Sequence, residues 1–99
     1  MLKVKDNVDL KELEKFGFHS FKVNRLQTNY YRVFSRSRHD GVSLILVNNL
    51  CRDLVFDKWY DNDTRIHKVP KLHYKDKSMV EDCLFDLTMA GVVEKVESV

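Results

Sequence analysis

Two helix signatures near the ends of the chain, with a two-residue period between them, constrain this sequence most. The first is Asp9-Leu10-Lys11-Glu12, preceded by Val8 and followed by Gly17. Asp9 can accept from the amide hydrogens of a first helical turn. Glu12 can reach back to the cap amide, and Gly17 can take the left-handed stop. Leu10, Leu13 and Phe16 share a stripe, which predicts a short helix of about two turns. The second is Ser78-Met79-Val80-Glu81, again a capping box, with Gly91 as the stop. Met79, Val80, Cys83, Leu84 and Leu87 give it one core face, with Phe85 and Met89 beside it. Glu81, Asp82 and Asp86 take the other side, and the acids near its start suit the helix dipole.

Between the helices, Phe18, Phe21 and Val23 read as a strand, interrupted over residues 24–29, and residues 30–37 read as the next. Asp40-Gly41 is a hairpin-turn signal. Residues 42–47 are apolar on both faces apart from Ser43, which predicts a central strand. Asn48-Asn49 suits a two-residue turn, because asparagine tolerates positive φ. Residues 50–56 predict a fourth strand, 58–64 (KWYDNDT) a loop, and 65–69 a short edge strand ended by Pro70. Residues 92–96 and 2–4 add terminal strands. The expectation is one α+β domain over residues 1–99. It is an antiparallel β-meander of four to six strands, with a short N-terminal helix and a longer C-terminal helix packed on one face.

Composition agrees with a single core: 99 residues, 43% hydrophobic, with three glycines and one proline. The net charge of +2 does not mark a polyanion binder, yet the charge is segregated. Residues 22–52 carry +5, 53–64 carry −3, 65–77 carry +4, 78–99 carry −4, and 1–21 cancel. Two basic segments can merge into one face if the fold joins them. The N-terminus has no apolar signal core and no run approaches membrane-spanning length. The expected location is therefore the cytoplasm, without membrane contact. Cys51 and Cys83 form no CxxC motif, and both are expected as free thiols at core-facing positions.

The chemistry-bearing residues are few. Four arginines fall within fourteen residues (Arg25, Arg32, Arg36 and Arg38), interleaved with Tyr30, Tyr31 and Phe34. In a regular strand Tyr30, Arg32, Phe34, Arg36 and Arg38 point one way, and Tyr31, Val33, Ser35 and Ser37 the other. Such a face suits single-stranded nucleic acid, with arginines on phosphates and rings on bases. Lys71 would extend it. The alternative is a solvated sheet face with arginine stems lying along it. The expected register puts Tyr31 and Val33 in the core and Arg32, Arg36 and Arg38 in solvent. Trp59 and Tyr60, flanked by Asp57, Asp61 and Asp63, either anchor their loop to the core or form a protein-binding hot spot. The histidines match no metal-ligand spacing, and the acidic loop lacks the glycine and terminal glutamate of a calcium loop. No phosphate-cradling glycine loop or Gly-x-Ser-x-Gly elbow occurs, so neither an enzyme nor a cofactor is expected.

The opening LKVKDNVDLKELEKFGF (residues 2–18) and the closing DLTMAG with VVEKV (residues 86–96) resemble small uncharacterised proteins of phages and prophages of Gram-positive bacteria. Those proteins run from a short N-terminal helix into a few strands and close on a similar ending. The resemblance covers about a third of the chain. It implies an accessory protein of a mobile element that acts stoichiometrically on a host enzyme, a defence complex or a phage partner; an anti-CRISPR is one concrete form. Two functions are thus expected: protein–protein binding, or nucleic-acid binding through the arginine face.

Overall fold

The computed structural model describes residues 1–37, 41–60 and 80–96, with Arg36 and Ser37 described by their backbone alone. The predicted strand over residues 65–69 and the cap at Ser78 lie outside the described residues. The described elements are α+β with antiparallel sheets, as expected. A four-stranded sheet runs β2 (His19–Asn24), β3 (Gln27–Ser37), β4 (Gly41–Val47) and β5 (Leu54–Trp59) in meander order. A separate two-stranded sheet pairs β1 (Leu2–Val4) with β6 (Val93–Lys95). The C-terminal helix α1 spans Val80–Met89.

The N-terminal helix, Leu10–Phe16, is a 3-10 helix. Its stripe at 10, 13 and 16 repeats every three residues, which is the 3-10 period rather than the α period. Asp9 caps it: Oδ1 accepts from the Lys11 amide at 3.0 Å. Glu12 does not reach back to the cap; it pairs with Lys15 at 2.8 Å. Gly17 stops the helix at φ 83°.

Three strand boundaries differ from expectation, each for a local reason. The interruption between β2 and β3 is only residues 25 and 26, because Asn24 Oδ1 accepts from the Leu26 amide at 2.9 Å and closes the turn by itself. The link from β4 to β5 is longer than Asn48-Asn49 and runs over residues 48–53. There Asn48 Oδ1 accepts from the Leu50 amide at 2.7 Å, and Arg52 adopts φ 63°. Strand β5 then continues into the segment predicted as a loop, and Trp59 pairs with Val42. Cys51 consequently sits exposed in the connection, not at a core-facing strand position, whereas Cys83 is buried in α1.

Strand β4 lies between β3 and β5 and is buried on both faces. Its alternation separates two cores. Ile45 and Val47 join Val4, Leu10, Leu13, Phe18, Tyr30, Phe34, Cys83, Leu87, Val92 and Val93, so both helices contribute to this cluster. Val42 and Leu44 join Phe21, Tyr31 and Trp59. Fully buried side chains such as Leu44 and Ile45 each contribute roughly 1.5–3 kcal/mol.

This double burial corrects the predicted register in part. Tyr31 is buried and Val33 half-buried, as expected, but Tyr30 and Phe34 are buried too. Arg32 pairs with Ile45, lies on the side of the first core and is half-buried instead of solvated. A bulge interrupts the ladder between Val33↔Leu44 and Ser35↔Ser43. Phe34 is the additional residue, and beyond it Arg36 pairs with Val42. The unbroken alternation assumed over residues 30–38 therefore does not hold.

Candidate functional site

The arginine strand comes first. Arg32 Nη1 donates to the Phe16 carbonyl at 2.8 Å, and its guanidinium lies 5.1 Å from the Phe34 ring centroid. Its positive charge also acts on the Cys83 thiol of α1. A Cβ on Gly17 would come within 3.3 Å of Arg32 Nε, so the glycine makes room for the guanidinium as well as ending the helix. Arg32 thus joins the 3-10 helix, β3 and α1. Arg36 is described by its backbone alone, and Arg38 and Lys71 lie outside the described residues. Among the described residues, no continuous face of arginines and exposed rings is assembled.

Trp59 and Tyr60 separate. Trp59 is 0% exposed, its Nε1 donates to Asp57 Oδ2 at 2.8 Å, and its ring meets Phe21 edge-on at 6.2 Å. It is a core anchor. Tyr60 is 52% exposed, with Lys58 Nζ 6.0 Å from its ring centroid. Phe56, on the same side of β5 by alternation, is 60% exposed. Phe56 and Lys58 line a cleft of about 330 Å³ with Phe34, Ser43 and Val80.

The outer face of α1 carries two residues whose spacing in the sequence predicts a place beside the core. Phe85 and Met89 are 64% and 71% exposed. They stand four residues apart, so one lies above the other on the helix surface. Glu81, Asp82 and Asp86 are exposed around them, while Cys83 and Leu87 point inward. A wheel of this segment contains the signal: the Phe85–Met89 pair lies opposite the line from Cys83 to Leu87.

A third region is polar. Asp6, Asp9, Thr28, Tyr30, Asn49 and Arg52 line a cleft of about 420 Å³ at the end of the sheet where the β2–β3 and β4–β5 connections meet. Asn29 braces that end: its Oδ1 accepts from the Asn49 amide at 3.1 Å and from Gln27 Nε2 at 3.2 Å. Arg52 donates from Nε to the Val4 carbonyl at 3.4 Å, and from Nη2 to the carbonyls of Lys5, at 2.8 Å, and Val8. Burial, then the charges of Glu14 and Asp9, push the Tyr30 phenol up.

Among the described residues, no three His, Cys, Asp or Glu side chains are arranged to hold a metal ion, and no helix is long and apolar enough to cross a membrane. Burial pushes the Cys83 thiol up, against the opposing charge of Arg32. Comparison with protein-family models, with characterised proteins and with solved structures finds no match to this chain.

Proposed function

We propose that this protein acts by stoichiometric protein–protein binding in the cytoplasm of a host cell, as an accessory protein of a phage or other mobile element. Inhibition of a host defence complex, in the manner of an anti-CRISPR, is the form suggested by its resemblance at the two ends. The supporting observation is the outer face of α1. Single apolar residues on a surface are ordinary. A stacked Phe85–Met89 pair on an α-helix, ringed by Glu81, Asp82 and Asp86, is a compact apolar anchor in an acidic frame. It suits a basic partner surface with an apolar socket. Phe56 on β5 and Tyr60 just beyond its end offer further apolar area.

The test is capture from nuclease-treated lysates of Gram-positive hosts, with the wild type beside Phe85→Ala/Met89→Ala. Both side chains are exposed, so the double variant should stay folded, with stability changed by about 0.5 kcal/mol or less per site. The proposal expects one partner in stoichiometric amount, lost with the double variant. A partner retained equally by both proteins removes α1 from the interface. Binding that disappears on nuclease treatment and falls steeply with salt would instead favour the nucleic-acid reading through Arg36, Arg38 and Lys71.

A further inference from the structure

We infer that the polar cleft between the N-terminal segment and the β4–β5 connection is a binding site for an organic cation, a guanidinium or ammonium group. It is separate from the α1 surface and does not depend on the function proposed for that surface.

Tyr30 carries the argument. Its ring belongs to the first core and the residue is only 9% exposed. No buried side-chain oxygen or nitrogen lacks a partner among the described residues, and the Tyr30 hydroxyl makes no hydrogen bond among them. The hydroxyl is therefore the accessible tip of a buried ring, and the space it reaches is this cleft. A phenol that borders a cleft without a protein partner among the described residues is a ready acceptor for a ligand N–H.

The surrounding charges select the sign of the ligand. Asp6 and Asp9 both line the cleft. Asp9 gives one oxygen to the Lys11 amide, and Asp6 meets Lys3 at 3.1 Å, so each carboxylate retains acceptor capacity. Beyond burial, the charges of Glu14 and Asp9 both act to keep the proton on the phenol. Arg52 is the cation in the lining, but its Nε and Nη2 are engaged by the carbonyls of Val4, Lys5 and Val8. Asn49 and Thr28 add further acceptor oxygens. A ligand rich in N–H donors and carrying positive charge matches this set. The volume is that of a small-molecule pocket.

The experiment is a ¹H–¹⁵N NMR titration of the full chain with three probes: agmatine, the peptide acetyl-Gly-Arg-Gly-amide, and N-acetylglutamate as the anionic control. The expected result is saturable shifts of the amides of Thr28, Asn49 and Asn7, which also lines the cleft, with agmatine or the peptide and none with the anion. Tyr30→Phe removes only the hydroxyl and should weaken cation binding about three- to tenfold, the range for one lost hydrogen bond. Asp6→Asn, at an exposed site with little bearing on folding, should weaken it as well. Tighter binding of agmatine than of the peptide assigns the site to a free small cation. The reverse order assigns it to a basic side chain of a partner. Saturable shifts with N-acetylglutamate alone, no saturable shift with either cation, or cation binding unaffected by Tyr30→Phe and Asp6→Asn would overturn the inference.

Discussion

The guanidinium of Arg32 meets the Phe16 carbonyl, the Phe34 ring and the Cys83 thiol at once. Each contact is modest, but together they fix the end of the 3-10 helix against β3 and α1. The thiol stays protonated because its burial outweighs the pull of the neighbouring positive charge. Arg32→Ala should lower stability by about 1–3 kcal/mol, measured by urea denaturation, because it leaves a half-buried carbonyl without its donor and opens space beside Phe34. Arg32→Lys should recover little of that. A single ammonium cannot serve the carbonyl, the ring face and the thiol together. Full stability in Arg32→Ala would return this side chain to the solvated surface expected from the sequence.

Among the elements, the start of β4 and the end of β5 approach each other closely at Gly41. Gly41 has φ 77°, and a Cβ there would lie 2.5 Å from the Trp59 carbonyl oxygen. Gly41→Ala therefore combines a left-handed backbone with a clash against main chain, and should cost about 2–4 kcal/mol. Trp59 fluorescence should report the same loss, since the indole is anchored by Asp57 beside that contact. A change below about 0.5 kcal/mol would show that the two strands do not approach as described. The glycine itself was legible in the Asp40-Gly41 signal, as were the Asp9 cap, the Gly17 stop and the central position of residues 42–47. These depend on local conformational preference or on an unbroken apolar run. The bulge at Phe34 was not legible, because it is set by what the ring finds in the first core and not by its neighbours in sequence. The same holds for the strand pairing of Trp59, whose acidic flanks made it resemble a loop residue, although a core anchor was one of its two expected roles. Of the residues singled out for binding, the sequence could show the charge of Arg32 on an alternating strand and the ring of Trp59 among acidic neighbours. It could not show that the 3-10 helix end and Asp57 would engage them.

At the scale of the whole molecule, Arg52 ties the N-terminal segment, and through β1 the paired strand β6, to the middle of the chain. Strands β1 and β6 pair with each other, with Val4 opposite Val93, and Val96 donates to the Met1 carbonyl at 2.8 Å. This small sheet would be marginal alone. It is tied to the four-stranded sheet by the Lys3↔Asp53 bridge and by the Val4 amide, which donates to the Arg52 carbonyl at 2.9 Å. The Arg52 side chain returns to bind the carbonyls of Val4, Lys5 and Val8, none of which lies in a helix or in the interior of a strand. The left-handed backbone at Arg52, which costs a non-glycine residue energy, is thus offset by a fan of hydrogen bonds that only a guanidinium can make. Arg52→Gly relieves the backbone and loses the fan; Arg52→Ala loses the fan and keeps the strain. If the fan holds the ends, both should accelerate amide hydrogen exchange at Val4, Lys5 and Val96 while leaving the β3–β4 ladder protected. Arg52→Ala should be the less stable of the two, by about 1 kcal/mol. Equal exchange at Val4 and at Ile45 in either variant would mean that the terminal sheet and the meander open as one unit, and that Arg52 is not the tie between them.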